Sequence, residues 1–171
     1  MKRRTVGLAA GLLLLGAVLP SGISARSLVP FSASFTEDGP AAPCPFPTLC
    51  VTINGIGHAT LLGETRETGS ATLNLLSLQA TGCSAEQRTA VLTAANGDQI
   101  DVAFSDGVTC MTSPTSGQSR YSFTITAGTG RFRGATGSGT ARAGFTLATA
   151  TSPASSFTAL SGTLSTPGSL R

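Results

Sequence analysis

Val29-Pro30-Phe31-Ser32-Ala33-Ser34-Phe35-Thr36 sets Val29, Phe31, Ala33 and Phe35 on one side of an extended chain and Pro30, Ser32, Ser34 and Thr36 on the other. Side chains of a strand alternate between its two faces, so this stretch describes a β-strand with one buried face. The same alternation returns in Ile100, Val102 and Phe104 against Asp101, Ala103 and Ser105. It returns again in Tyr121, Phe123 and Ile125 against Ser122, Thr124 and Thr126. Thr, Ser, Gly and Ala dominate the chain beyond residue 25, and no stretch there sustains a helical period. A short helical turn over 84–88 is the most helix that the pattern allows.

Working outward from these cases, strands are expected at 27–37, 50–60, 63–81 (63–72 and 73–81 taken as one bent strand), 88–95, 99–107, 119–127, 131–148 and 155–164. Leu62-Gly63, Asn96-Gly97 and Gly128-Thr129-Gly130 supply short connections, the second a strong hairpin signal because Asn and Gly tolerate positive φ. The eight strands then run as a meander. Its short turns fall at one end, and its longer connections, 38–49, 82–87, 108–118 and 149–154, fall at the other with all four cysteines. An open meander of this kind would leave two unpaired edges, which closure removes. The expected fold is therefore all-β, an eight-stranded antiparallel up-and-down barrel, with a two-sheet β-sandwich as the alternative.

The chain has 171 residues, of which 11% are charged. Its apolar excess is concentrated near the start, where Lys2, Arg3 and Arg4 precede an uncharged run from Val6 to Leu19, followed by Pro20, Ser21, Gly22, Ile23, Ser24 and Ala25. A positive head, an apolar run shorter than the roughly 20 residues of a spanning helix and a small-residue exit describe a secretory signal. The expected division is a signal peptide over 1–25 and a single domain over 26–171, secreted to an extracellular or periplasmic space, with no membrane attachment after cleavage.

Those three basic residues account for the whole formal charge of +3. The remainder carries eight Arg against eight acids and contains no lysine. Nucleic-acid binding needs a clustered positive surface; the densest cluster here is only Arg131 and Arg133, so no nucleic-acid partner is expected. The missing lysine excludes Schiff-base chemistry and a phosphate-binding P-loop.

In an oxidising compartment four cysteines read as disulfides, with three possible connectivities. Cys44 and Cys50 flank a short, proline-stiffened loop, while Cys83 and Cys110 bracket one expected hairpin. The pairing expected is Cys44 with Cys50 and Cys83 with Cys110. A zinc site lacks any C-x2-C pair and has only His58 to draw on, so no metal or cofactor is expected.

The segment Ile125-Thr126-Ala127-Gly128-Thr129-Gly130-Arg131-Phe132-Arg133-Gly134-Ala135-Thr136-Gly137-Ser138-Gly139 resembles the T-G-G-T-G-R-F-x-G-A-T-G-x-G signature of secreted bacterial proteins. Those proteins are similar to allene oxide cyclases, plant barrel enzymes related in shape to dirigent proteins. Gly55-Ile56-Gly57-His58-Ala59-Thr60-Leu61-Leu62-Gly63 resembles that group's G-x-G-N-A-T-H-L-G, with His58 in place of its Asn and Leu61 in place of its His. The resemblance implies an eight-stranded antiparallel barrel and a homo-oligomer as one possible state. It says little about function, because most bacterial members are uncharacterised. The glycines also have a structural role: Gly128 and Gly130 suit a tight hairpin, and Gly134, Gly137 and Gly139 let a long strand coil.

Catalytic candidates are few. His58 is a lone histidine, more in keeping with a hydrogen-bonded wall or rim residue than with a triad. Glu64, Glu67, Asp98 and Asp101 could pair as acid and base, but Asp98 sits in the Asn96-Gly97 turn and the Glu pair flanks Arg66, where solvated charges are usual. Tyr121 shares a face with Phe123 and Ile125 and is the best candidate for a polar tip inside an apolar lumen. Three functions stay open. One is a non-enzymatic barrel that binds a small apolar molecule through Phe31, Phe35, Phe104, Tyr121 and Phe123. Another is a cyclase- or dirigent-like isomerase, with Tyr121 and His58 as weak catalytic candidates. The third is a filled structural barrel that meets a partner through an apolar patch near Cys44-Pro45-Phe46-Pro47.

Overall fold

The computed structural model describes residues 27–150 and 153–165. The expected signal segment lies outside the described residues. The elements are β1 (Leu28–Asp38), β2 (Ala41–Ala42), β3 (Thr48–Ala59), β4 (Gly63–Asn74), α1 (Leu75–Thr81), β5 (Cys83–Ala94), β6 (Gln99–Ser113), β7 (Ser116–Gly128), β8 (Gly137–Thr146) and β9 (Ser155–Ser165). Neighbours in sequence pair antiparallel from β3 through β9, and β1 pairs with both β9 and β3. That double pairing closes eight long strands into a barrel, with the two-residue β2 added beside β3. Closure leaves no edge among the eight, as the meander argument requires.

Four local expectations are corrected. Residues 75–81 form a helix rather than the second half of a bent strand. Asn74 Oδ1 accepts the Ser77 amide at 3.0 Å, and Gly82, at φ 74°, donates its N–H to the Leu78 carbonyl. An Asn N-cap and a left-handed Gly end thus bound a helix that a run of leucines had disguised as strand. The turn expected over 84–88 is strand, with Ser84 and Arg88 buried at alternate positions. The long connection expected over 108–118 is a tight turn at Pro114 and Thr115, because β6 runs to Ser113 and β7 starts at Ser116.

The strand expected from 131 begins only at Gly137, since Gly130–Phe132 form a 3-10 turn. Gly130 adopts φ 54°, and a side chain there would also collide with Asp98, so the position requires glycine. The turn carries Phe132 beneath the barrel, where it is buried. At Gly139 a Cβ would meet the Ser161 carbonyl oxygen at 2.2 Å, so β8 approaches β9 more closely than any side chain allows.

The two ends of the lumen differ. Toward the β3–β4, β5–β6 and β7–β8 turns it is filled by apolar side chains, among them Phe31, Leu92, Ile100, Phe123, Ile125 and Leu164. Phe31 and Phe123 meet edge to face at 6.1 Å. Burying one such ring contributes about 1.5–3 kcal/mol. Toward the other end lie both disulfides, Cys44–Cys50 and Cys83–Cys110, paired as the spacing suggested. Cys83 and Cys110 are direct partners in the β5–β6 ladder, which brings their Cα atoms to 4.1 Å.

Candidate functional site

Strands β1, β4, β5 and β7 keep their alternation as they approach the cysteine-bearing end, but the inward residues change character. On β1 the inward series Phe31, Ala33 and Phe35 continues to Glu37. On β4 the inward residues Thr65, Glu67 and Ala71 are buried. On β5 Arg88 precedes Ala90, Leu92 and Ala94 in the same phase. Three charged side chains from three strands are thereby brought to one level of the lumen.

Arg88 Nη2 donates to Glu37 Oε1 and to Glu67 Oε1, each at 2.6 Å, and all three side chains are almost fully buried. The guanidinium also lies over the Phe104 ring at 5.2 Å and the Tyr121 ring at 5.9 Å, so aromatic faces share in holding the cation. Burial works against the Arg88 charge, but the two carboxylates outweigh it and raise its pKa further. Burial pushes the Glu67 carboxyl up to about 7, Arg88 pulling it down and Glu37 pushing it up. Glu67 Oε2 has no hydrogen-bond partner among the described residues.

A second polar group stands beside the first. The Thr109 hydroxyl donates to Glu86 Oε2, the Ser119 hydroxyl donates to the same oxygen at 3.1 Å, and the two hydroxyl oxygens are 2.6 Å apart. Tyr121 stands against Ser119 and Glu86; burial first, then the Glu86 charge, raises its pKa, so the phenol stays neutral and able to donate. Here the wall is irregular. The β5–β6 register shifts between Glu86 and Thr89, and the β6–β7 register shifts between Ser105 and Val108. Such bulges re-aim side chains, and this one accompanies Asp106 at φ 54°.

Above this floor opens a cavity of about 1090 Å³, lined by Glu37, Glu86, Arg88, Thr109, Ser119 and Tyr121 below and by side chains such as Ile53, Leu73, Leu78, Met111, Phe145 and Leu147 around it. Two of the leucines in its wall, Leu75 and Leu78, come from α1, so the helix overlooked in the sequence forms part of the mouth. A smaller lateral cavity of about 500 Å³ reaches Glu86, Arg88 and Phe104 from the β5–β6 side.

Of the five residues expected to contact a ligand, Tyr121 lines the large cavity and Phe104 lines the lateral one. Phe31, Phe35 and Phe123 are buried in the packed core and belong to neither lining. His58 is exposed on the outer face of β3, opposite Ser34 and Glu64 in the ladders and turned away from the lumen. Phe46, in the expected partner patch, is 73% exposed. The solvated environment expected for Glu67 is corrected: consecutive strand residues face opposite ways, so Arg66 is exposed while Glu67 is fully buried. Glu37, Glu86 and Arg88 were not foreseen as site residues, although a continued period of two marks Glu37 and Arg88 as inward. Among the described residues no group of three or more His, Cys, Asp or Glu could hold a metal ion, and no helix is long and apolar enough to cross a membrane.

No protein-family model, curated protein or solved structure matches this chain.

Proposed function

We propose that this protein is a secreted barrel that binds a small, mainly apolar molecule at its cysteine-bearing mouth. The observation that carries the proposal is the cavity of about 1090 Å³, with apolar walls and a few convergent polar groups at its floor. Concave, mostly apolar sites with a small number of placed polar groups are the usual form of small-molecule pockets. Tyr121 and Glu86 would orient the ligand's polar atoms, and the wall leucines would cover its hydrocarbon part. Secretion is supported by the signal-like N-terminal sequence and by two disulfides. The glycine motifs at 55–63 and 128–139 support kinship with the allene oxide cyclase-like secreted proteins.

A second reading, a cyclase- or isomerase-like enzyme, is favoured by one observation. Tyr121, held neutral, lines the base of an apolar cavity, and the Glu67 carboxyl, raised to about 7, lies behind the neighbouring Arg88, an arrangement that suits proton transfer during the folding-up of a reactive intermediate.

Native mass spectrometry of the oxidised, secreted protein tests the binding proposal. A stoichiometric adduct present under gentle conditions and lost on denaturation is the expected result. A bare mass, together with no uptake from a panel of apolar compounds, would refute it. Turnover of a bound compound, abolished by Tyr121→Phe without loss of fold, would favour the enzymatic reading.

A further inference from the structure

We infer that the polar end of the ligand is a protonated amine, so that the cavity takes an amphiphilic ammonium compound; this rests on the binding proposal above. The argument is one of charge at the floor and rim. Carboxylates Glu37, Asp38 and Glu86 line the cavity, and Arg88 is the one cation in its lining. The charge of that cation is already balanced, since Nη2 bridges Glu37 and Glu67, while its buried Nε has no hydrogen-bond partner among the described residues. Glu67 adds a fourth acid just behind, and its Oε2 is fully enclosed without a hydrogen-bond partner among the described residues.

The surroundings already suit a cation. Phe104 and Tyr121 present ring faces to the Arg88 guanidinium, and Glu86 presents a carboxylate flanked by the Thr109 and Ser119 hydroxyls. A ligand carboxylate would add negative charge to a site where acids already outnumber the lone guanidinium, and like charges brought together in a dry site repel strongly. A neutral alcohol would find acceptors but gain no charge pairing. An ammonium group gains both, while its hydrocarbon part lies along Leu73, Leu78 and Met111.

Titration calorimetry of the full oxidised protein at pH 8 with octylamine, octanol and octanoate separates the three heads on a common chain. Octylammonium is expected to bind at least about tenfold tighter than octanol, with octanoate weakest. Glu86→Gln keeps an acceptor for Thr109 and Ser119; it is expected to weaken octylamine about tenfold and octanol by a clearly smaller factor, whereas equal weakening of both would count against charge pairing at Glu86. Asp38→Asn, on the exposed rim, is expected to act in the same direction more weakly, and it puts no buried group at risk. Equal affinity for the three heads, or tightest binding of octanoate, would overturn the amine assignment while leaving the cavity proposal standing. Failure of all three to bind would remove both.

Discussion

Replacing Arg88 with leucine removes the one guanidinium that two buried carboxylates share. Its side chain is 3% exposed, its partners 4% and 0%, and both bonds are 2.6 Å long. Taking one member from a buried ion pair typically costs about 3–5 kcal/mol, because the remaining charge stays desolvated and uncompensated. At pH 8 the variant should therefore lose about 3–5 kcal/mol, or roughly 10–15 °C in melting temperature for a domain of this size. At pH 5 the loss should be smaller. Glu67, with a folded pKa of about 7, is protonated there, and without the pull of Arg88 its pKa rises further. One carboxyl is then neutral and the penalty should fall to roughly 1–2 kcal/mol. Urea denaturation followed by far-ultraviolet circular dichroism at both pH values gives the two numbers. A loss under about 1 kcal/mol at pH 8, or equal losses at both pH values, would refute the buried cluster as described.

In the wild type, Glu67 binds a proton more tightly folded, at about 7, than at the ordinary value of 4.5, so stability should decline as pH rises from 5 to 8. This group contributes roughly 3 kcal/mol of that decline, and Glu67→Gln should flatten the profile; an unchanged slope in the variant would count against it. Replacing Cys83 and Cys110 by serine reopens a 27-residue separation and should cost about 3.5 kcal/mol in a chain-entropy account, against about 2 kcal/mol for the 6-residue Cys44–Cys50 loop. Equal melting temperatures for the two double variants would contradict that ordering. Tyr121 is the one tyrosine and there is no tryptophan, so absorbance near 295 nm titrates it alone. Its midpoint should lie well above the ordinary 10.0, and a midpoint at or below it would place the phenol in water.

Much of the barrel was legible because alternation in β1, β6 and β7 survives in residues of high contrast, such as Phe31 against Ser32 and Phe123 against Thr124. Contrast fails along β4, where Gly69 and Ala71 are the inward neighbours of Glu67 and little separates its two faces. Charge near Arg66 then reads as solvent. The phase was nonetheless present: Glu37 follows Phe35 by two and Arg88 precedes Ala90 by two. What the sequence could not convey is their meeting. Glu37 and Glu67 lie 51 and 21 residues from Arg88, and only closure with this register sets the three strands at one level. Helix α1 carried its own boundaries in Asn74 and Gly82, but Leu73, Leu75, Leu76 and Leu78 gave equal support to a strand. Tyr121 was foreseen as a polar tip in an apolar lumen, and it does line the cavity. The aromatic residues below it fill the barrel, packed in one core with Phe132 from the 3-10 turn.

On this reading the cysteine-bearing half of the barrel is an apolar cavity that a guest can enter. Titration of the oxidised protein with Nile red, an uncharged dye whose emission rises in apolar surroundings, tests it most directly when repeated on Ala71→Phe. Ala71 lines the cavity and is 5% exposed, so the larger ring must occupy space that a guest would use. Saturable binding of one dye by the wild type is expected, with at least about tenfold weaker binding by a variant that keeps its far-ultraviolet spectrum. Absence of saturable binding, or equal binding by both proteins, would contradict that reading.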